Sequence, residues 1–129
     1  MAAELILCDT NILIELSKNN SEIVRELQEI GQDNIAVSSI SAAEFIFGAL
    51  NKKELSKIKN ALSAIDLLHV DREISDTALE LLEKYSLSHN LTVPDAFIAS
   101  TSLTHELKLF TLNIKDFKPT GGLILYKFQ

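Results

Sequence analysis

Leu5-Ile6-Leu7-Cys8-Asp9-Thr10-Asn11-Ile12-Leu13-Ile14 is the stretch that decides the fold. Glu4 to Cys8 reads as a short buried strand, Asp9-Thr10-Asn11 supplies helix-capping side chains, and Ile12-Leu13-Ile14 opens a helical pattern. A strand that runs through a tight turn into a helix is the opening of an α/β unit.

Working outward, Asn19-Asn20-Ser21 ends that helix, and Ser21 starts a second one, patterned by Ile23, Val24, Leu27 and Ile30, that stops near Gly31. Ile35 to Ser38 reads as the second strand. A helix from Ser41 to Leu50 follows, then a charged amphipathic helix from Lys53 to Ile65 and a short apolar run, Leu67-Leu68-His69-Val70. Asp71 caps the longest helical pattern, which reaches His89 with Ile74, Ala78, Leu81, Leu82 and Tyr85 on one side. Pro94 suits a first helical position, and Ala96 to Glu106 continue that helix. Leu107 to Thr111 and Gly122 to Tyr126 read as the last two strands. The alternation implies a mainly parallel sheet covered on both faces, a three-layer α/β/α architecture. With no linker, repeat or low-complexity segment, residues 1–129 are expected to form one domain.

Composition narrows the class. Hydrophobic residues make up 47% of the chain and charged residues 23%, which excludes a disordered or fibrous protein. No apolar run approaches the roughly 20 residues of a membrane span, and Met1-Ala2-Ala3-Glu4 lacks a basic leader, so a cytoplasmic protein is expected. Cys8 lies in an apolar run and reads as a small core residue. The net charge of −6 is opposite to that of a general nucleic-acid binder, but acids gathered around bound cations would reverse the local field.

Ligands of open α/β sheets bind beyond the carboxyl ends of the strands. Asp9 directly follows the first strand, Glu44 lies in the helix after the second, Asp95 is in the first turn of the Pro94 helix, and Asp116 follows the Leu107–Thr111 strand. Each also has a purely structural reading. Asp9 can cap its helix, Ser41-Ala42-Ala43-Glu44 matches a capping box, Asp95 can complement a helix dipole, and Asp116 can sit in a turn. Together they suggest more, because four carboxylates at one sheet edge repel one another unless cations are bound. Mg²⁺ or Mn²⁺ suits such oxygen donors, and two ions about 3.5–4 Å apart are suited to phosphodiester hydrolysis.

The first stretch, Val37-Ser38-Ser39-Ile40-Ser41-Ala42-Ala43-Glu44-Phe45, Pro94-Asp95-Ala96-Phe97-Ile98-Ala99 and Thr111-Leu112-Asn113-Ile114-Lys115-Asp116-Phe117 together resemble the PIN-domain family, in the order and spacing of its VapC-type toxin ribonucleases. The resemblance implies an endoribonuclease dependent on Mg²⁺ or Mn²⁺, with Asp9, Glu44, Asp95 and Asp116 as catalytic and metal-binding residues and Thr111 and Asn113 supporting them. The neutral Asn113 leaves open whether one metal or two bind. It also implies RNA as substrate, a protein antitoxin and a homodimer, for which Ile12, Ile14, Phe45 and Phe47 are the exposed apolar candidates. The alternative substrate is a ribosomal or transfer RNA precursor undergoing maturation.

Asn11 is expected to hydrogen-bond a site carboxylate or water, or else simply to start its helix. Lys52, Lys53, Lys57 and Lys59 form the densest basic stretch, suited to RNA phosphates or to a solvated helix face. His69, His89 and His105 lack metal-ligand spacing and carry no catalysis. Two other classes compete: an inactive PIN-fold scaffold, and a phosphoaspartyl enzyme with Asp9 as nucleophile, which would want a second Asp in place of Asn11.

Overall fold

The computed structural model describes residues 4–128, so Met1-Ala2-Ala3, on which the missing leader was read, lie outside the described residues. Four parallel strands, β1 (Ile6–Cys8), β2 (Ile35–Ser38), β3 (Asp66–Leu68) and β4 (Lys108–Phe110), form one sheet in the order β3-β2-β1-β4. The register pairs Leu7 with Ala36 on one side and with Leu109 on the other. The helices are α1 (Thr10–Ser17), α2 (Ser21–Ile30), α3 (Ser39–Phe47), α4 (Lys52–Ser63), α5 (Arg72–His89), α6 (Val93–His105) and α7 (Ile114–Phe117).

The strand period of two splits the core. Ile6, Cys8, Ile35, Val37 and Phe110 face a cluster completed by Ile12, Leu13, Ile23, Leu27, Phe45 and Ile58, from α1 to α4. Leu7, Ala36 and Leu109 point the other way, onto Ala78, Leu81, Tyr85, Ala96, Ile98, Ala99 and Phe117 of α5, α6 and α7. Helices therefore cover both faces, and the chain has the three-layer α/β/α architecture. No helix among the described residues is long and apolar enough to cross a membrane.

Local chemistry explains most boundaries. Asp9 caps α1, Asn20 caps α2, Asn51 caps α4 through the Glu54 amide, and Asp71 caps α5 through the Ile74 amide. Thr92 caps α6, with Pro94 in its first turn.

Four expectations need correction. The third helix starts at Ser39, not Ser41, because Ser38 at the end of β2 accepts the Ile40 amide; Ser41 is fully buried inside the helix, so no Ser41–Glu44 capping box exists. Gly122 to Tyr126 is not a strand: Leu125 forms one isolated parallel bridge with Leu109, and beyond it Tyr126 and Phe128 turn onto the Phe110 ring. Leu67 and Leu68 of the apolar run belong to β3, an exposed edge strand that begins at Asp66 and pairs through Ala36–Asp66, while His69 and Val70 lie beyond it. Finally, Ile12 and Phe45 belong to the core, because α1 and α3 turn those positions onto the sheet, while Ile14 and Phe47 are exposed.

Candidate functional site

In the order β3-β2-β1-β4, connections leave β1 toward β2 on one side while β4 returns on the other, so the sheet's switch point lies between β1 and β4. Asp9 continues β1 there, its backbone N–H bonded to the Phe110 carbonyl at 2.9 Å. Its side chain is only 4% exposed. Oδ1 accepts the Thr10 amide at 2.7 Å and Oδ2 accepts the Thr111 hydroxyl at 2.7 Å. The capping reading of Asp9 is thus correct, and it leaves the other carboxylate oxygen directed across the crevice to β4.

Thr111 gathers the rest of this edge. Its oxygen accepts from Asn11 Nδ2 at 3.4 Å and from the Asn113 amide at 3.0 Å. Asn11 also accepts the Leu112 amide at 3.2 Å. Asn11, the second residue of α1, therefore supports a hydroxyl and a backbone group on the chain leaving β4. Its place at the helix start agrees with one of the two expectations, and neither of these partners is a carboxylate. Asn113 donates through Nδ2 to Asp116 Oδ2 at 2.8 Å, so Asn113 holds the acid three residues on, at the start of α7.

Glu44 is exposed on α3, and its Oε1 accepts the Thr10 hydroxyl at 2.7 Å. Thr10 is the residue that sequence reasoning missed. Its identity reads as ordinary helix-start chemistry, and nothing local signals a partner 34 positions away.

Asp95 completes the group from the first turn of α6. Its carboxyl is pushed up to about 6, chiefly by burial, then by the charge of Asp9, with smaller contributions from Asp116 and Glu44, while the Thr92 hydroxyl acts in the opposite direction. Asp9 is also raised, first by burial and further by Glu44, against the lowering hydrogen bonds from Thr111 and Thr10. The other three acids thus lie within electrostatic reach of Asp95. Among the described residues the ion pairs are Lys18–Glu15 and Lys108–Glu4, and neither involves these acids.

The all-oxygen donor set fits a hard divalent cation, whose charge would reverse the repulsion that raises Asp9 and Asp95. No group of three or more His, Cys, Asp or Glu among the described residues is placed to grip one ion alone. An ion here would meet one or two carboxylates directly and keep waters, as Mg²⁺ commonly does. Asp9 is a poor nucleophile, since both oxygens are engaged at its buried position. Cys8 is fully buried with its thiol pushed up to about 12 by burial and by Asp9, and is inert. His69, His89 and His105 are exposed.

Beside the acids, a cavity of about 610 Å³ opens between α1, α2, α3 and α4, with Glu44, Glu54, Lys18 and Lys57 among its polar lining and Leu13, Leu27 and Ile58 among its apolar lining. Of the basic stretch, only Lys57 lines it; Lys52, Lys53 and Lys59 are exposed elsewhere on α4.

An acidic group anchored on the buried Asp9 at the switch point of a four-stranded parallel sheet coincides with a match of residues 6–122 to the PIN domain family model. The chain belongs to the PIN-domain family. This PIN domain is 30% identical to Ribonuclease VapC2 of Rickettsia felis, over 91% of this chain and 92% of that protein. It is 29% identical to the tRNA(fMet)-specific endonuclease VapC of Shigella flexneri, over 89% of this chain and 91% of that one. Among solved structures, a toxin-antitoxin complex from Klebsiella pneumoniae contains a chain with the same PIN fold, at a TM-score of 0.79 and 31% identity over 95% of this chain and 99% of that chain.

Proposed function

We propose that this PIN domain is a metal-dependent endoribonuclease of the VapC type, the toxin of a toxin–antitoxin pair, acting in the cytoplasm as a single-domain chain. One observation carries the metal site: Thr10 holds Asp9 and Glu44 through its amide and its hydroxyl, Asn113 holds Asp116, and no ion pair among the described residues neutralises these acids or the Asp95 carboxyl that they raise. The nuclease relatives support the reaction class.

In this reading Asp9 and Asp95 hold Mg²⁺ or Mn²⁺ most directly, and Glu44 and Asp116 complete the acidic set. Such a cation supplies Lewis acidity for phosphodiester hydrolysis. The protein's own part is orientation. Thr111 and the Thr10 amide fix both oxygens of Asp9, the Thr10 hydroxyl fixes Glu44, and Asn113 fixes Asp116. Asn11 and Thr111 tie the exits of β1 and β4 together, so the spacing of the acids is set by the sheet. Lys57, with Lys52 and Lys53 farther along the same helix, offers positive charge to RNA phosphates that the acidic crevice alone would repel.

The cavity suits an antitoxin segment with an apolar face and an arginine, which would reach Glu44 and the acids behind it by bidentate pairing. The toxin-antitoxin complex that shares the fold supports a protein partner. Of the four homodimer candidates, Ile14 and Phe47 are exposed, 39% and 91%, and they support a homodimer surface.

Incubating the purified protein with total RNA, in Mn²⁺ or Mg²⁺ and then with a chelator, tests the function. Cleavage that the chelator abolishes is expected. RNA binding without cleavage in either ion would leave the inactive scaffold, whereas trimming confined to ribosomal or transfer RNA precursors would make it a maturation nuclease.

A further inference from the structure

Thr10 joins two of the acids through different atoms. Its backbone N–H donates to Asp9 Oδ1 at 2.7 Å, and its hydroxyl donates to Glu44 Oε1 at 2.7 Å. The two acids come from different elements: Asp9 follows β1 as the cap of α1 and is buried, whereas Glu44 is an exposed side chain on α3. An exposed glutamate otherwise samples many rotamers, and the Asp9 charge pushes it outward. The threonine is suited to oppose this. It is the first residue of α1, its β-branched side chain is stiff about χ1, and a hydroxyl bound to a carboxylate makes one of the stronger hydrogen bonds.

We propose that Thr10 is a positioning residue that sets the distance between Asp9 and Glu44, holding the Glu44 carboxylate inward so that both acids serve one cation. The inference rests on the nuclease reading above and adds a residue to it. Asp9 is tied to the backbone and to β4 whatever Thr10's side chain does, so the hydroxyl acts on Glu44 alone.

The test uses Thr10→Val, which keeps the branched shape without the hydroxyl, Thr10→Ser, which keeps the hydroxyl, and Thr10→Val in a Glu44→Ala background. Mn²⁺ affinity by calorimetry, and kcat and KM for RNA cleavage, are measured for each, with thermal unfolding as the control for folding. Thr10→Val is expected to weaken Mn²⁺ and lower kcat by about ten-fold each, the usual worth of a charge-assisted hydrogen bond, with KM little changed. Thr10→Ser restores both to within about three-fold, and Thr10→Val adds nothing to Glu44→Ala, because a residue that acts only through another is silent once that partner is gone. If the valine variant unfolds, Thr10→Ala takes its place in the same comparisons.

Wild-type Mn²⁺ affinity and kcat in the valine variant would overturn the proposal. So would an equal loss with and without Glu44, since that is the mark of a structural role. If the wild type binds Mn²⁺ but cleaves no RNA, the nuclease reading falls while the Mn²⁺ titration still decides Thr10; if it binds no Mn²⁺, both fall.

Discussion

Thr111 reaches across 102 positions of sequence to donate its hydroxyl proton to Asp9 Oδ2 at 2.7 Å, joining the exit of β4 to the exit of β1. The same oxygen accepts from Asn11 and from the Asn113 amide, so one buried hydroxyl serves three groups. Thr111→Val keeps the shape and removes all three bonds. It should cost about 2–3 kcal/mol in urea unfolding, the penalty for a buried charged acceptor and two donors left without partners. A cost under about 0.5 kcal/mol would show that these bonds are replaced by water.

Glu44→Gln separates charge from shape. No capping box ties Glu44 to its own helix, and glutamine's carbonyl oxygen can still accept the Thr10 hydroxyl, so the fold should be unaffected. RNA cleavage should nevertheless fall by at least about ten-fold, because the negative charge near the cation is lost. Unchanged cleavage in Mn²⁺ would remove Glu44 from the site.

The metal-free protein should become less stable as pH rises from 5 to 7. Asp95 titrates near 6 when folded and near 3.8 as an ordinary carboxyl, so between those values the folded state binds more protons than the unfolded state. Stability is then lost as pH climbs through that window, and the penalty is complete above it. Asp9, raised for the same first reason, adds in the same direction. In excess Mn²⁺ the order should reverse, because protons compete with the ion for Asp95. Melting temperatures at both pH values, in chelator and in Mn²⁺, check this, and a metal-free protein that melts higher at pH 7 would contradict it.

Much of this site is legible in the sequence because its acids sit at element ends that the sequence marks well. An apolar run followed by Asp9 announces both the strand and the cap, and Pro94 announces the helix that carries Asp95. What stays hidden depends on pairing between distant segments. Ser38, Ser39 and Ser41 are all plausible caps, and only the end of the β2 ladder selects Ser38. β3 is three residues long and lies at an exposed edge, and Gly122 to Tyr126 has strand composition yet meets Leu109 at a single bridge. Thr10 follows the same rule, since its partner Glu44 is brought to it only by the packing of α3 on α1.

Asp95 is a cleaner probe of cation binding than Asp9, and the hydrogen bonds explain why. Asp9→Asn keeps an oxygen for the Thr10 amide but turns an N–H toward Thr111, whose oxygen already accepts two donors, so relief of repulsion is offset by a lost bond. Asp95→Asn removes the charge that burial and three neighbouring acids oppose, and it should raise the metal-free melting temperature above wild type, whereas Asp9→Asn should not. Both should nearly abolish cleavage. In wild type, free Mn²⁺ at a hundred times its Kd should add about 2.7 kcal/mol, on the order of 10 °C for a domain of this length. Asp95→Asn should gain little from the same Mn²⁺. If wild type and Asp95→Asn shift equally, the ion binds elsewhere, and the acids between β1 and β4 are not the metal site.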